Sequence, residues 1–190
     1  MSLANPFSID AKVRRAVAKA ERVRSPKRLS AGFLVKGLLL SAALASGVVM
    51  LASRYSIAIA SQESLCLPPY RLWIIDKKPS APVRGNIYAF QAKGLAPVFA
   101  DGTLIVKVLE GMPGDTVKVS LDKTTINGVT VGTGLLVANH HGIDPNKYVR
   151  EGEIGEGRFW FFGRTADSFD SRYWGSAAAD QIIGQAYPIW

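Results

Sequence analysis

Thr124-Thr125-Ile126-Asn127-Gly128-Val129-Thr130-Val131 sets β-branched residues on both sides of an Asn-Gly pair. Asn and Gly accept the positive φ angles of a type I′ turn, so this stretch predicts a tight antiparallel hairpin of Thr124–Ile126 and Val129–Val131. Outward from it, short runs bounded by Gly and Pro follow the same pattern. Further strands are expected at Leu72–Ile75, Gly85–Gln91, Thr103–Glu110, Asp115–Ser120, Arg158–Phe162 and Gln185–Trp190. Tight turns and few helical periods indicate a mainly β domain over residues 61–190, a small coiled antiparallel barrel or sandwich, rather than a βαβ sheet. The polar, Gly-rich segment Asn139–Glu156 reads as a loop or lobe inserted between strands.

N-terminal to this domain the composition changes. Residues 1–30 hold eight Lys/Arg against two acids, whereas the remaining 160 residues hold fifteen against thirteen, so the chain's net charge of +8 belongs to a tail. Nucleic-acid binding is therefore not expected, because the folded part is nearly neutral. Ile9 to Arg24 can form an amphipathic basic helix, which beside a membrane span contacts anionic lipid. Ala31 to Ser53 then reads AGFLVKGLLLSAALASGVVMLAS, broken only by Lys36. As a helix those residues reach about 34 Å, enough for a hydrocarbon core of about 30 Å. Arg54 and Tyr55 supply the far boundary.

The expected organisation is a basic cytoplasmic tail over 1–30, a single transmembrane helix over 31–54 and an exported domain over 61–190. The eight cations hold the tail in the cytoplasm, so everything after Arg54 is expected to be exported. Ala58-Ile59-Ala60 has the small-x-small form of a signal-peptide cleavage site, but a basic region of 30 residues exceeds an ordinary n-region. A buried helix of a soluble protein leaves the charge asymmetry unexplained.

Three places in the β domain can carry chemistry. Within Thr103–Glu110, Ile105, Lys107 and Leu109 share one face and Leu104, Val106 and Val108 the other. A lysine on a covered apolar face is desolvated, which disfavours the ammonium and makes a general base. On an edge strand the same lysine would face solvent and discourage aggregation. Cys66 is the chain's single thiol and precedes Pro68-Pro69, which fix the local backbone. Near a basic lysine it is a candidate nucleophile; alone it is a small buried apolar residue. Asp170 and Arg172, two apart on a strand, would point the same way as an ordinary surface ion pair. His140-His141 has no third ligand in view, so no metal site is expected.

Taken in order, these elements form a pattern. A membrane span precedes Ser64-Leu65-Cys66-Leu67-Pro68-Pro69, then Arg84-Gly85-Asn86-Ile87-Tyr88, then Lys107-x-x-x-Gly111-Met112-Pro113-Gly114-Asp115. Gly163 and Ser168-x-Asp170-Ser171-Arg172-Tyr173-Trp174-Gly175 close the set. The order and spacing over Ser64–Tyr187 resemble the signal peptidase I family. The compact size and the short stretch from Cys66 to Trp73 look like the TraF-type conjugative-transfer (pilin-processing) peptidases.

The resemblance implies a membrane-anchored endopeptidase with a nucleophile/lysine dyad and an acyl-enzyme, and no cofactor. Lys107 matches the family's general base. Cys66 falls where the family has its serine nucleophile, and Ser64 matches an oxyanion-hole serine or takes over as nucleophile. Ser168 matches the serine that orients the lysine amine, and Asp170 with Arg172 matches a structural ion pair. The expected partners are a pilin-like or other exported precursor, inner-membrane lipid and proteins of a conjugative type IV secretion apparatus. A catalytically inactive assembly or binding component of that apparatus is the alternative. Arg164-Thr165-Ala166 departs from the usual acidic and amide residues, and the segment from Gly163 to Asp170 is one residue short. Cysteine for serine need not abolish catalysis, because a thiol, with a reference pKa near 8.5, yields its proton to an amine far more readily than a hydroxyl does.

Overall fold

The structure, a computed structural model, describes residues 7–24, 29–60, 65–78 and 80–189. The chain divides into two compact units, Met1–Val48 and Val49–Trp190. In the first, α1 runs over Phe7–Arg24 and α2 begins at Ala31. Ser30 caps α2, its hydroxyl accepting the Phe33 N–H at 3.2 Å, which satisfies one of the four orphan donors of the first turn. α2 continues to Arg54, 24 residues with a mean hydropathy of 2.0 and no buried side chain. Ser46 folds its hydroxyl onto the Ala42 carbonyl at 2.8 Å, so its donor is satisfied within the helix. A helix that displays Leu, Val and Phe all round calls for an apolar surrounding.

The second unit is antiparallel throughout. Its strands are β1 (Tyr55–Ile59), β2 (Leu72–Asp76), β3 (Ile87–Gln91), β4 (Leu104–Gly111), β5 (Thr116–Val119), β6 (Lys123–Ile126), β7 (Val129–Thr133), β8 (Arg150–Glu153), β9 (Arg158–Phe162), β10 (Ala177–Ala178) and β11 (Ile182–Pro188). A seven-stranded sheet takes the order β1-β2-β11-β3-β4-β9-β10, and a four-stranded sheet the order β7-β6-β5-β8. The mainly β class expected from the turns is what forms.

Strand β9 explains how the two layers share a core. Its run Phe159-Trp160-Phe161-Phe162 alternates sides. Phe159 and Phe161 enter a cluster with Tyr88, Phe90, Ile105 and Leu109, while Trp160 and Phe162 enter another with Val117, Val119 and Ile126. Phe90 and Phe161 stack with centroids 4.4 Å apart. Strand β4 alternates likewise: Ile105 and Leu109 join the Phe90 cluster, and Val106 and Val108 pack with Trp73, Ile75 and Ala89.

The hairpin β6–β7 forms as expected. Asn127 is the one non-glycine residue with positive φ among the described residues, at 49°, and Gly128 follows at 80°. Three local expectations differ from the structure. The β sheet starts at Tyr55, ahead of residue 61, because β1 pairs with β2 in register Tyr55↔Asp76 to Ile59↔Leu72. The polar segment Asn139–Glu156 holds the end of α3 (Leu136–His140), a 3₁₀ turn at Pro145–Tyr148 and β8, whose pairing with β5 outweighs its poor strand composition. Asp170 and Arg172 lie not on a strand but at the start of α4 (Ser171–Trp174), where Asp170 is the N-cap, its carboxylate accepting the Arg172 N–H.

Candidate active site

Lys107 lies on β4, an interior strand between β3 and β9, and at 2% exposure its face is covered. The edge-strand alternative does not occur. Its Nζ donates to Ser168 Oγ at 2.7 Å, and among the described residues it has no ion-pair partner. A buried lysine without a counter-ion is an uncommon arrangement, and here the amine rests on the Ser168 hydroxyl.

Ser168 is wholly buried, and its position is over-determined. Gly163 leaves the space it occupies: a Cβ there would lie 2.0 Å from Ser168 Oγ and 3.2 Å from the Cys66 carbonyl oxygen. Only glycine permits that approach without displacement. The next residue, Arg164, donates its backbone N–H to that Cys66 carbonyl at 2.7 Å. The strand end after β9 thus holds the Cys66 backbone on one side and makes room for Ser168 on the other.

Below this runs a buried ion pair. Asp170 is 0% and Arg172 1% exposed, which overturns the surface-pair expectation. Arg172 Nε donates to Asp170 Oδ1 at 2.9 Å and Nη2 to Oδ2 at 2.9 Å, while Asp170 also accepts the Gly163 N–H at 3.0 Å. Arg172 further donates to the carbonyls of Thr133, Gly134 and Ser168. Burial pulls the Arg172 guanidinium down, but the hydrogen bonds and charge of Asp170 outweigh it and leave it above its ordinary value. The pair fixes both ends of the segment from Gly163 to Ser168, and so the acceptor that holds Lys107.

Asp115, which ends the Gly111-Met112-Pro113-Gly114-Asp115 turn after β4, anchors a second network. It accepts from Arg84 Nη2, the Met112 N–H and Asn127 Nδ2, at 2.7, 2.6 and 2.7 Å respectively. Burial pushes its carboxyl up, yet these three donors together hold it below the usual carboxylate value. Asn127 therefore serves the hairpin turn and the site turn at once.

Cys66 and Lys107 line one cavity of about 390 Å³, with Ile57, Ala58, Leu65 and Trp73 among its walls. Cys66 is half-buried, as suits a group that must be screened from water yet reachable. The structure brings together Cys66, Lys107 and Ser168, with Asp170 and Arg172 beneath them. Ser64 lies outside the described residues. His140 and His141 are exposed at the end of α3, and no group of three or more His, Cys, Asp or Glu suited to a metal ion is found among the described residues.

Sequence reasoning did not find the hold on Cys66 through Arg164, nor the ion pair of Arg164 with Glu110 at 2.8 Å. That pair ties the Cys66-binding segment to the strand of Lys107. Glu110 lies three residues after Lys107, but nothing in spacing alone couples it to a residue 54 positions later.

The family model described as signal peptidase, peptidase S26, matches residues 31–190. Among solved structures, a signal peptidase I from Enterococcus faecalis V583 is 27% identical, with 56% of this chain and 97% of that one covered and a TM-score of 0.36. Comparison with curated proteins finds no match.

Proposed function

The chain belongs to the signal peptidase, peptidase S26, family and is a membrane peptidase that processes exported precursors; on that premise we propose that it works through a Cys66/Lys107 dyad. The observation that carries the reading is the shared cavity of Cys66 and Lys107, with the lysine amine held by Ser168 Oγ at 2.7 Å.

In this mechanism the Cys66 thiol gives its proton to the Lys107 amine as Sγ attacks the scissile carbonyl carbon. The carbonyl π electrons move to oxygen, and the Cys66 N–H stabilises that oxyanion, with Ser64 as a second donor. Each donor is worth about 3–4 kcal/mol in comparable acyl transfers. Collapse breaks the C–N bond. The Lys107 ammonium returns its proton to the departing amine, leaving a thioester on Cys66. Lys107 then takes a proton from water as the water oxygen attacks the thioester, and the thiol re-forms with release of the acid. Ser168 is a positioning residue throughout, keeping the amine aimed at the dyad. The cavity wall supplied by Ala58, Leu65 and Ile57 favours small residues before the scissile bond.

The same reading places the tail 1–30 in the cytoplasm, the helix 31–54 across the bacterial inner membrane and the β unit in the periplasm, because the cations cluster on one side of the span. The substrate is a pilin or another precursor of a conjugative type IV secretion apparatus. The compact domain and the short run from Cys66 to Trp73, which resemble those of TraF-type peptidases, support that choice. A thioester also reacts well with amines, so transfer to an amine is open to the acyl-enzyme beside hydrolysis. The test is precursor processing by wild type, Lys107→Ala and Cys66→Ala. Both variants are expected to lose it. Undiminished processing by either removes the dyad, and intact pilus assembly with Cys66→Ala indicates a non-catalytic assembly component.

A further inference from the structure

A cavity of about 950 Å³ in the β unit is separate from the one that holds Cys66 and Lys107. The loop after β3 separates the two. Lys93 to Val98 line the large cavity, and Phe99, the next residue, lines the smaller one. Phe99 packs on Phe169 with centroids 5.9 Å apart, and Phe169 faces the large cavity. One aromatic pair is thus the wall between the two spaces, and it lies one residue from Ser168.

Two features indicate what the large cavity takes. Its lining mixes aromatic and aliphatic side chains, among them Phe90, Tyr148, Tyr173 and Trp174, with a few charges of both signs, Lys93, Arg158 and Asp180. Such a surface suits side chains of varied type rather than a single charged small molecule. Trp174, part of this lining, also has a buried indole N–H with no hydrogen-bond partner among the described residues. An unpaired buried donor is costly, and a ligand carbonyl that reaches it relieves that cost. A backbone carbonyl of an extended peptide is such an acceptor.

We propose that this cavity binds the part of the exported precursor that follows the scissile bond, passing over the Phe99–Phe169 wall from the dyad. The residues before the bond occupy the smaller cavity, and those after it, apolar or aromatic, occupy the larger. The proposal rests on the peptidase reading, and its test is separable from the dyad because binding needs no turnover.

The probes are fluorescent peptides with Ala-Leu-Ala before the scissile bond. One stops two residues beyond the bond, one continues with about ten residues containing Phe and Leu (at most about 35 Å extended), and one carries that extension on the opposite side. Anisotropy on the full-length Cys66→Ala protein in detergent micelles, in which the peptides stay intact, reads the affinities. The forward-extended peptide is expected to bind about tenfold more tightly than the short one, as remote contacts add to recognition. Trp174→Phe, which keeps the ring and deletes the donor, and Ala178→Trp, which fills the space, are each expected to reduce that ratio severalfold. Equal affinity for forward-extended and short peptides overturns the proposal. So does a preference for the extension on the opposite side, or an unchanged ratio in both variants. Loss of cleavage with Cys66→Ala and Lys107→Ala reports separately on the dyad.

Discussion

Asp170→Ala removes the carboxylate that organises the floor of the site, and its cost can be worked from the contacts. Asp170 accepts hydrogen bonds from Gly163 N–H, Arg172 N–H, Arg172 Nε and Arg172 Nη2, between 2.9 and 3.2 Å. Without it, the Arg172 guanidinium stays buried with only the carbonyls of Thr133, Gly134, Thr165 and Ser168 as acceptors. Leaving one partner of a buried pair uncompensated costs about 3–5 kcal/mol. For a domain of this size each kcal/mol lowers Tm by about 2–4 °C, so the variant should melt about 6–20 °C below wild type. Asp170→Asn keeps the shape and part of the acceptor set and should fall between the two. Thermal unfolding of the full-length protein in detergent, followed by circular dichroism, measures the shift. A fall of less than about 2 °C for Asp170→Ala would refute the claim that this pair holds the segment from Gly163 to Ser168.

Other perturbations probe different parts of the same arrangement. Ser168→Ala deletes the acceptor of Lys107 Nζ; kcat for precursor cleavage should drop about 10²-fold with little change in KM, as expected for lost positioning. Gly163→Ala forces a methyl to within 2.0 Å of Ser168 Oγ. Since misplacement by about 1 Å can cost 10²-fold in rate, activity should fall comparably even where the variant melts near wild type. Asp115 contributes in a pH-dependent way. Its carboxyl is held below its ordinary value of 3.8, so its stabilisation is present above that pH and lost as the pH falls through the lower folded value. The stability gap between wild type and Asp115→Asn, from urea titrations between pH 7 and pH 2, should narrow in the acid range and stay level above about pH 5.

Much of this architecture can be read from residue order because local physics and tertiary context agree there. The Asn127-Gly128 turn has no better conformation than the one it adopts. The alternation through Ile105, Lys107 and Leu109 puts the lysine among apolar neighbours whichever way the sheet is covered. The parts that stayed hidden depend on distant partners. β8 is Arg-Glu-Gly-Glu, with no strand preference of its own, and exists because β5 offers it a ladder. β1 follows the apolar helix without a turn signal, and pairing with β2 alone defines it. Asp170 and Arg172 look like a surface pair until α4 buries them. The Arg164 N–H that binds the Cys66 carbonyl belongs to the backbone, which carries no side-chain signature at all.

The central claim is that Cys66 carries the acyl group and Lys107 enables its transfer. Acid-quenched digestion with a precursor peptide, followed by mass spectrometry of the trapped adduct, tests it directly. The account predicts a thioester on Cys66 in wild type and none in Lys107→Ala. An adduct on Ser64, or continued cleavage by Cys66→Ala with no adduct at this position, would contradict it.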